Sequence, residues 1–270
     1  MTPAAGSAIE VTLGLILLLF AVGVFAGWID AVVGGGGLVQ LPALLLVPGI
    51  TAVQALATNK VGSIAGTTVS SLTYLRRVTP DRSATFPAAG LALVGAVVGA
   101  MLAALMPEGV LRPAILAVLV AVAVFTLMKP SLGAEARLRF PPDSAAHHTT
   151  AWALGFVVGV YDGALGPGTG SFLVIGFVAL IGFSFLQASA SSKVVNWATN
   201  LGALLFFVPA GHVVWSLGLA MALGNLTGGY IGARTAIRLG SGFVRIVFIV
   251  VVGAMVLSMG WSMLAGALGR

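Results

Sequence analysis

Asp30-Ala31-Val32-Val33-Gly34-Gly35-Gly36-Gly37-Leu38, an acid followed by four consecutive glycines inside apolar sequence, is the stretch on which the reading of this chain turns. In a helix interior each glycine costs about 1 kcal/mol relative to alanine. A carboxylate at the centre of a membrane helix costs about 2.5 kcal/mol or more. Both penalties falling on one place point to a broken helix whose backbone and charge meet something other than lipid. A related stretch recurs as Asp162-Gly163-Ala164-Leu165-Gly166-Pro167-Gly168-Thr169-Gly170. The chain therefore reads as two copies of one device.

Composition sets the environment. Of 270 residues, 59% are hydrophobic and 7% charged, with a mean hydropathy of +1.11. A soluble domain carries about 25% charged residues, so this chain lacks the side chains to cover a water-facing surface. It reads as an all-α polytopic membrane protein. The 37 glycines suit helices that approach closely in lipid. There are no cysteines, which excludes disulfides, thiolate metal sites and cysteine nucleophiles. The net charge of +6 comes without any basic block, so it reads as membrane topology and not as nucleic-acid binding. Met1–Glu10 contains no Lys or Arg, so the first apolar run reads as a retained span instead of a cleaved signal peptide.

A spanning helix needs about 20 apolar residues. Suitable runs are Val11–Val33, Ala52–Leu75, Phe86–Met106, Leu111–Met128, Leu186–Val208, Val214–Ala233 and Phe243–Leu264. Three pieces are short or interrupted: Leu38–Val47, Ala151–Leu165 and Ser171–Phe183. Residues 129–150 contain Pro130, Pro141, Pro142, five charged residues and the pair His147-His148, and form the one substantial linker. The histidines read as linker residues, with no metal and no cofactor implied. The chain thus divides into a first transmembrane repeat, 1–128, a cytoplasmic linker, 129–150, and a second transmembrane repeat, 151–270.

Asp30 matches Asp162 at an offset of 132, and Lys60 matches Lys193 at 133. Gly34–Gly37 matches Gly166-Pro167-Gly168-Thr169, Gly95 and Gly99 match Gly228 and Gly232, and Gly109 and Arg112 match Gly242 and Arg245. Positive charge marks cytoplasmic loops. It collects at Arg76, Arg77 and Arg82, at Lys129, Arg137 and Arg139, and at Arg234, Arg238 and Arg245. The loops at 48–52, 107–110 and 209–213 contain no Lys or Arg. Equivalent loops therefore fall on opposite sides, which predicts inverted-topology repeats of five segments each, with broken or re-entrant glycine-rich helices and both termini outside.

Four charges cannot be placed in loops: Asp30, Lys60, Asp162 and Lys193. Intramembrane ionisable groups face a bundle interior or a water-filled cavity and commonly mark a pathway. The competing reading is two structural ion pairs. Lys193, Asn196 and Asn200 lie at i, i+3 and i+7, one helix face, and Lys60, Ser63 and Thr67 repeat that spacing. Asn59 adds an amide beside Lys60. A face of ammonium, amide and hydroxyl donors suits a tetrahedral oxyanion; isolated Ser, Thr and Asn residues also serve simply as hydrogen bonds between helices. The glycine breaks at Gly35, Gly36 and Gly168 would offer helix N-terminal N–H groups to an anion, with Gln40 and Thr169 close by. Asp30 and Asp162 would carry a coupling proton or orient the lysines.

These residues resemble the TauE/SafE family of membrane permeases, also called sulfite exporters. The first half carries Gly27-Trp28-Ile29-Asp30 with its glycine run, Pro42 and Thr58-Asn59-Lys60. The second half carries Tyr161-Asp162-Gly163, Lys193, Asn196, Thr199-Asn200 and Gly224–Arg234. The resemblance spans essentially the whole chain and implies an inner-membrane permease for sulfur-containing anions such as sulfite, sulfoacetate or other organosulfonates. Pro167, and Ser192 where a strict repeat would have Asn, imply that the two half-sites differ. The expected partners are a small anion, the lipid bilayer, a coupling proton and, where it assembles, a second copy of the chain. A passive anion channel is the alternative. An intramembrane aspartyl protease is a remote one, since Asp30 lacks the Gly-x-Gly-Asp context and the lysines would have no role. No phosphate-binding Gly-x-x-x-x-Gly-Lys-Ser/Thr run is present, so the energy would come from a gradient or a partner.

Overall fold

A computed structural model describes residues 11–127, 138–142 and 144–268, and these are helices and short connections. The linker residues Lys129 and Arg137 and the Met1–Glu10 segment lie outside the described residues. In chain order the helices are α1 Leu13–Val33, α2 Gly37–Leu45, α3 Ala52–Leu75, α4 Arg82–Leu105 and α5 Glu108–Leu127. After the linker come α6 Ala145–Ala164, α7 Thr169–Gly176 with a π-helical turn Phe177–Ile181, α8 Phe185–Phe207 and α9 Trp215–Leu268. Gly240, at φ 74° and ψ −171°, breaks α9 into two arms.

By length and apolarity together, α1 and α4 qualify as spans on their own. α3 and α8 have 24 and 23 residues, the length for crossing, and their polar faces lower their hydropathy. One expectation is corrected. The piece expected to be short, Ala151–Leu165, is the end of a 20-residue helix. Ser144 caps it by accepting the His147 N–H at 3.2 Å, so residues 145–150 belong to α6 although their polarity places them with the linker.

Local signals recur at equal offsets. Thr51 and Gln54 form a capping box at the start of α3, and Ser184 and Gln187 form one at the start of α8. α1 packs along the first arm of α9, and α6 packs along α4. Both contacts are made by glycines set backbone to backbone. A Cβ on Gly224 or Gly228 would collide with the carbonyl of Phe20 or Val24; one on Gly159 or Gly163 would collide with that of Ala92 or Ala96. Lipid supplies no hydrophobic drive between helices, so such close approach is what holds them. The surface follows the same logic. Leu13, Leu17, Leu105, Val157, Leu219 and Leu223 point outward, while Lys60, Lys193, Asn59, Asn200 and Asn225 are buried.

The connections segregate by charge. Asp81, at the start of α4, accepts from buried His147 Nε2 at 2.8 Å, joining the 76–84 loop to the foot of α6. Arg76 and Arg77 share a cavity with Arg234 and Arg238. At the other end, the Glu108 carboxylate accepts the Ala52 N–H at 2.9 Å, and the Val214 N–H reaches Thr58 Oγ1 at 3.0 Å. The segment 76–84 thus meets Arg234 and Arg238, which lie within α9 and not in the loop expected there, while connections without arginine meet each other.

Gly228→Ala should lower stability by about 1–3 kcal/mol through overpacking, whereas Gly90→Ala, which meets open space, should not destabilise; thermal melts in detergent compare the two. Burial raises the Asp81 pKa, but hydrogen bonds from Ser83, the Ala84 N–H and His147, with the histidine's charge, outweigh it and hold the carboxyl below its ordinary 3.8. Its contribution to stability is therefore present above 3.8 and fades as pH falls through the lowered folded value. Asp81→Asn should remove that part of the acid sensitivity, which melts at stepped pH will register.

Candidate functional site

The site begins where α1 ends. Gly34, at φ 83°, adopts the left-handed conformation that glycine tolerates, and its N–H bonds the Asp30 carbonyl to close the helix. In the second half Gly166 at φ 84° and Gly168 at φ 72° make the corresponding break between α6 and α7. The two breaks dock directly on each other. The Ser171 N–H donates to the Gly34 carbonyl at 2.9 Å, and Ser171 Oγ donates to the Val33 carbonyl at 3.1 Å. A Cβ on Gly170 would lie 2.5 Å from Gly34 Cα, so no larger residue fits this crossing.

Around the crossing the four charges that fall outside the loops, Asp30, Lys60, Asp162 and Lys193, pair across the linker. Lys60 Nζ lies 2.7 Å from Asp162 Oδ1, with both side chains buried. Lys193 Nζ lies 3.0 Å from Asp30 Oδ2, with Lys193 fully buried and Asp30 13% exposed. Each aspartate also reaches the start of the short helix that follows it. Gly36 N–H points to Asp30 Oδ1 at 3.4 Å, and Thr169 Oγ1 donates to Asp162 Oδ1 at 2.5 Å. Asp30 thereby meets a helix-start N–H much as a bound anion would, whereas Asp162 takes the Thr169 hydroxyl.

A small cavity of about 10 Å³ lies between the breaks, room for about one water. Asp30, Asn59, Lys60, Asp162, Thr169, Asn196 and Asn200 line it, together with Ser63 and the glycines Gly34, Gly37, Gly166 and Gly170. Asn200 Nδ2 donates to the Asn196 carbonyl at 2.7 Å, fixing one rim. Two buried acceptors on this wall, Asn59 Oδ1 and Asp162 Oδ2, have no hydrogen-bond partner among the described residues. An unmatched buried acceptor is costly and calls for a donor such as water or a proton.

The sequence-derived residues are placed unevenly. Lys193 reaches the cavity through Asp30. Gly35, Gly36 and Gly168 lie beside the lining glycines, and Gly36 contributes through Asp30. The first turn of α2 is not an open N–H cradle here. Leu38 N–H bonds the Gly35 carbonyl at 3.1 Å, and Val39 and Gln40 N–H bond that of Gly36 at 3.0 and 3.1 Å. Gln40 points away from the cavity, its Nε2 donating to Asn225 Oδ1 of α9 at 3.0 Å. Thr67 turns back to its own helix, donating to the Ser63 carbonyl at 2.8 Å. Asn225 escaped sequence reasoning, although an amide amid glycines at Gly224 and Gly228 is itself a signal. Tyr74, whose buried hydroxyl donates to the Ala31 carbonyl at 3.0 Å, escaped as well. Asp30 and Asp162 are each paired with a lysine and not with one another. Among the described residues no group of three or more His, Cys, Asp or Glu side chains could hold a metal ion.

Lys60→Met would leave Asp162 buried and unpaired, and should cost about 3–5 kcal/mol. Lys60→Met combined with Asp162→Asn should recover most of that loss in denaturation of the purified protein. A double variant no more stable than the single would show that the two groups are uncoupled.

The family described as Sulfite exporter TauE/SafE matches residues 19–259. The chain is 37% identical over 238 residues to "Probable membrane transporter protein ORF9" of Sinorhizobium sp, covering 88% of this chain and 89% of that one. It is 34% identical over 243 residues to "Probable membrane transporter protein YfcA" of Escherichia coli (strain K12), covering 89% and 88%. A "Probable membrane transporter protein" of Haemophilus influenzae is 30% identical over 256 residues, covering 93% and 98%. No solved structure matches.

Proposed function

This chain belongs to the Sulfite exporter TauE/SafE family of membrane transporters and is not an enzyme; from that premise we propose that it is a secondary transporter of small sulfur-containing anions such as sulfite, sulfoacetate or other organosulfonates. The single observation that carries this reading is the small polar cavity at the crossed glycine breaks, lined by Lys60 and bordered by the Lys193–Asp30 pair. In this structure each lysine is paired with an aspartate from the other side of the linker. An incoming oxyanion would take over that role, with Asn59, Asn196 and Asn200 as further donors and the helix starts at Gly36 and Thr169 as dipolar support.

The exchange links binding to movement. A lysine released from its aspartate frees one half of the chain to move against the other, as alternating access between inverted repeats requires. The released aspartate, Asp30 or Asp162, would serve as the coupling group or orient its lysine for the return step. The meeting of the arginine-bearing segments at one end is consistent with that end facing the cytoplasm of an inner membrane. Residues 1–128 and 151–270 would then be the two repeats.

The reading is tested by thermal stabilisation of the purified protein with sulfite, sulfate, sulfoacetate, taurine, acetate and phosphate. A ligand at 100 times its Kd should stabilise by about 2.7 kcal/mol. Selective stabilisation by a sulfur oxyanion, lost in Lys60→Ala and Lys193→Ala, is the expected result; a full response in both variants would make the lysines structural. A passive channel is separated in proteoliposomes, where uptake against the anion's own gradient should follow an imposed pH gradient in a transporter and not in a channel.

A further inference from the structure

Outside the central cavity, the largest concentration of charge among the described residues lies where the end of α3 meets the first arm of α9. An open cleft of about 760 Å³ there is lined by Arg76 and Arg77, just past the end of α3, and by Arg234 and Arg238 from α9, a volume in the range of small-molecule sites. Among the described residues none of these four arginines forms an ion pair. The described acids are committed elsewhere: Asp30 and Asp162 to lysines, Asp81 to His147 and Glu108 to the start of α3. Arginine does not shed its charge, and all four guanidiniums are exposed on one open cleft, so together they present a concentrated positive surface to an anion.

The cavity also has an orienting element and an apolar wall. Arg234 stacks over the Tyr230 ring at 4.4 Å, which fixes the guanidinium plane while leaving its edge donors available. Ile231 and Leu239, both exposed, line the same space. Basic donors beside exposed apolar side chains match the two ends of an anionic lipid. We propose that this cavity binds a phosphate-class oxyanion presented as the headgroup of an anionic phospholipid, with the acyl chains lying along Ile231 and Leu239. The site is separate from the central cavity and does not depend on the identity of the transported anion. The opposing account is that these arginines only mark topology and offset the carbonyl ends of their helices, in which case nothing binds.

Purified full-length protein in detergent is melted with added phosphatidylglycerol, phosphatidylcholine or inorganic phosphate. The variants are Arg76→Gln with Arg234→Gln, Arg77→Gln with Arg238→Gln, and Arg82→Gln, whose arginine lies outside the cavity. Phosphatidylglycerol should raise the melting temperature where phosphatidylcholine does not. Each double variant should weaken the half-saturating concentration by about tenfold or more, and Arg82→Gln should leave it unchanged. A matching response to inorganic phosphate, lost in the same variants, would assign the oxyanion site to a soluble ligand and overturn the lipid assignment. No selective response to either probe, or equal losses in Arg82→Gln, would overturn the site altogether. The two double variants are read independently, so a failure of one to fold leaves the other decisive.

Discussion

An ammonium and a carboxylate taken out of water are each too costly to stand alone, and the interior of this protein is arranged so that neither does. Lys60 with Asp162 and Lys193 with Asp30 pair across the linker, so each pair ties residues from before it to residues after it. Burial of an ion pair is weak support for stability, because desolvation offsets the attraction. Breaking one partner away is the expensive event. A lysine can leave its aspartate without that cost only where another anion takes the carboxylate's place.

The glycines make that arrangement possible. Gly34 and Gly170 let two helix breaks touch at the backbone, which brings the aspartates that precede the breaks within reach of lysines on α3 and α8. Glycines along α1, α4, α6 and α9 then draw the helix pairs together around the crossing. The same residue type thus serves two ends: left-handed turns at the breaks, and contact without side chains along the helices. In lipid both are strong constraints, because every backbone polar group must still be satisfied. Ser171 shows how this is met, its N–H and hydroxyl answering the open carbonyls of Gly34 and Val33.

Much of this was legible in the residues. Four consecutive glycines after Asp30 forecast the end of α1, because no L side chain follows a left-handed turn as cheaply. The spacing of Lys193, Asn196 and Asn200 forecast a shared face, and two of the three line the cavity. Other features were hidden for physical reasons. The crossed pairing of lysines and aspartates depends on how distant segments face each other, which periodicity does not encode. Gln40 looked like an anion ligand from its place after the break, yet helix rotation turns it to Asn225. The start of α6 was missed because a hydropathy run does not register a polar first turn, even though Ser144 is a good cap. The free N–H groups expected at α2 are already used by Gly35, Gly36 and the Asp30 carboxylate, a local choice that only the folded backbone reveals.

The central claim is that the cavity between the breaks is where the transported anion sits. The absence of native cysteine permits a direct measurement. Ser63→Cys places a single small thiol on the cavity wall, and its rate of modification by a charged methanethiosulfonate is followed in membranes with and without sulfoacetate. The account expects slow labelling that saturating sulfoacetate slows further in a protein that still transports it. Labelling unaffected by sulfoacetate, in a variant whose sulfoacetate transport is intact, would place the anion elsewhere and contradict the account.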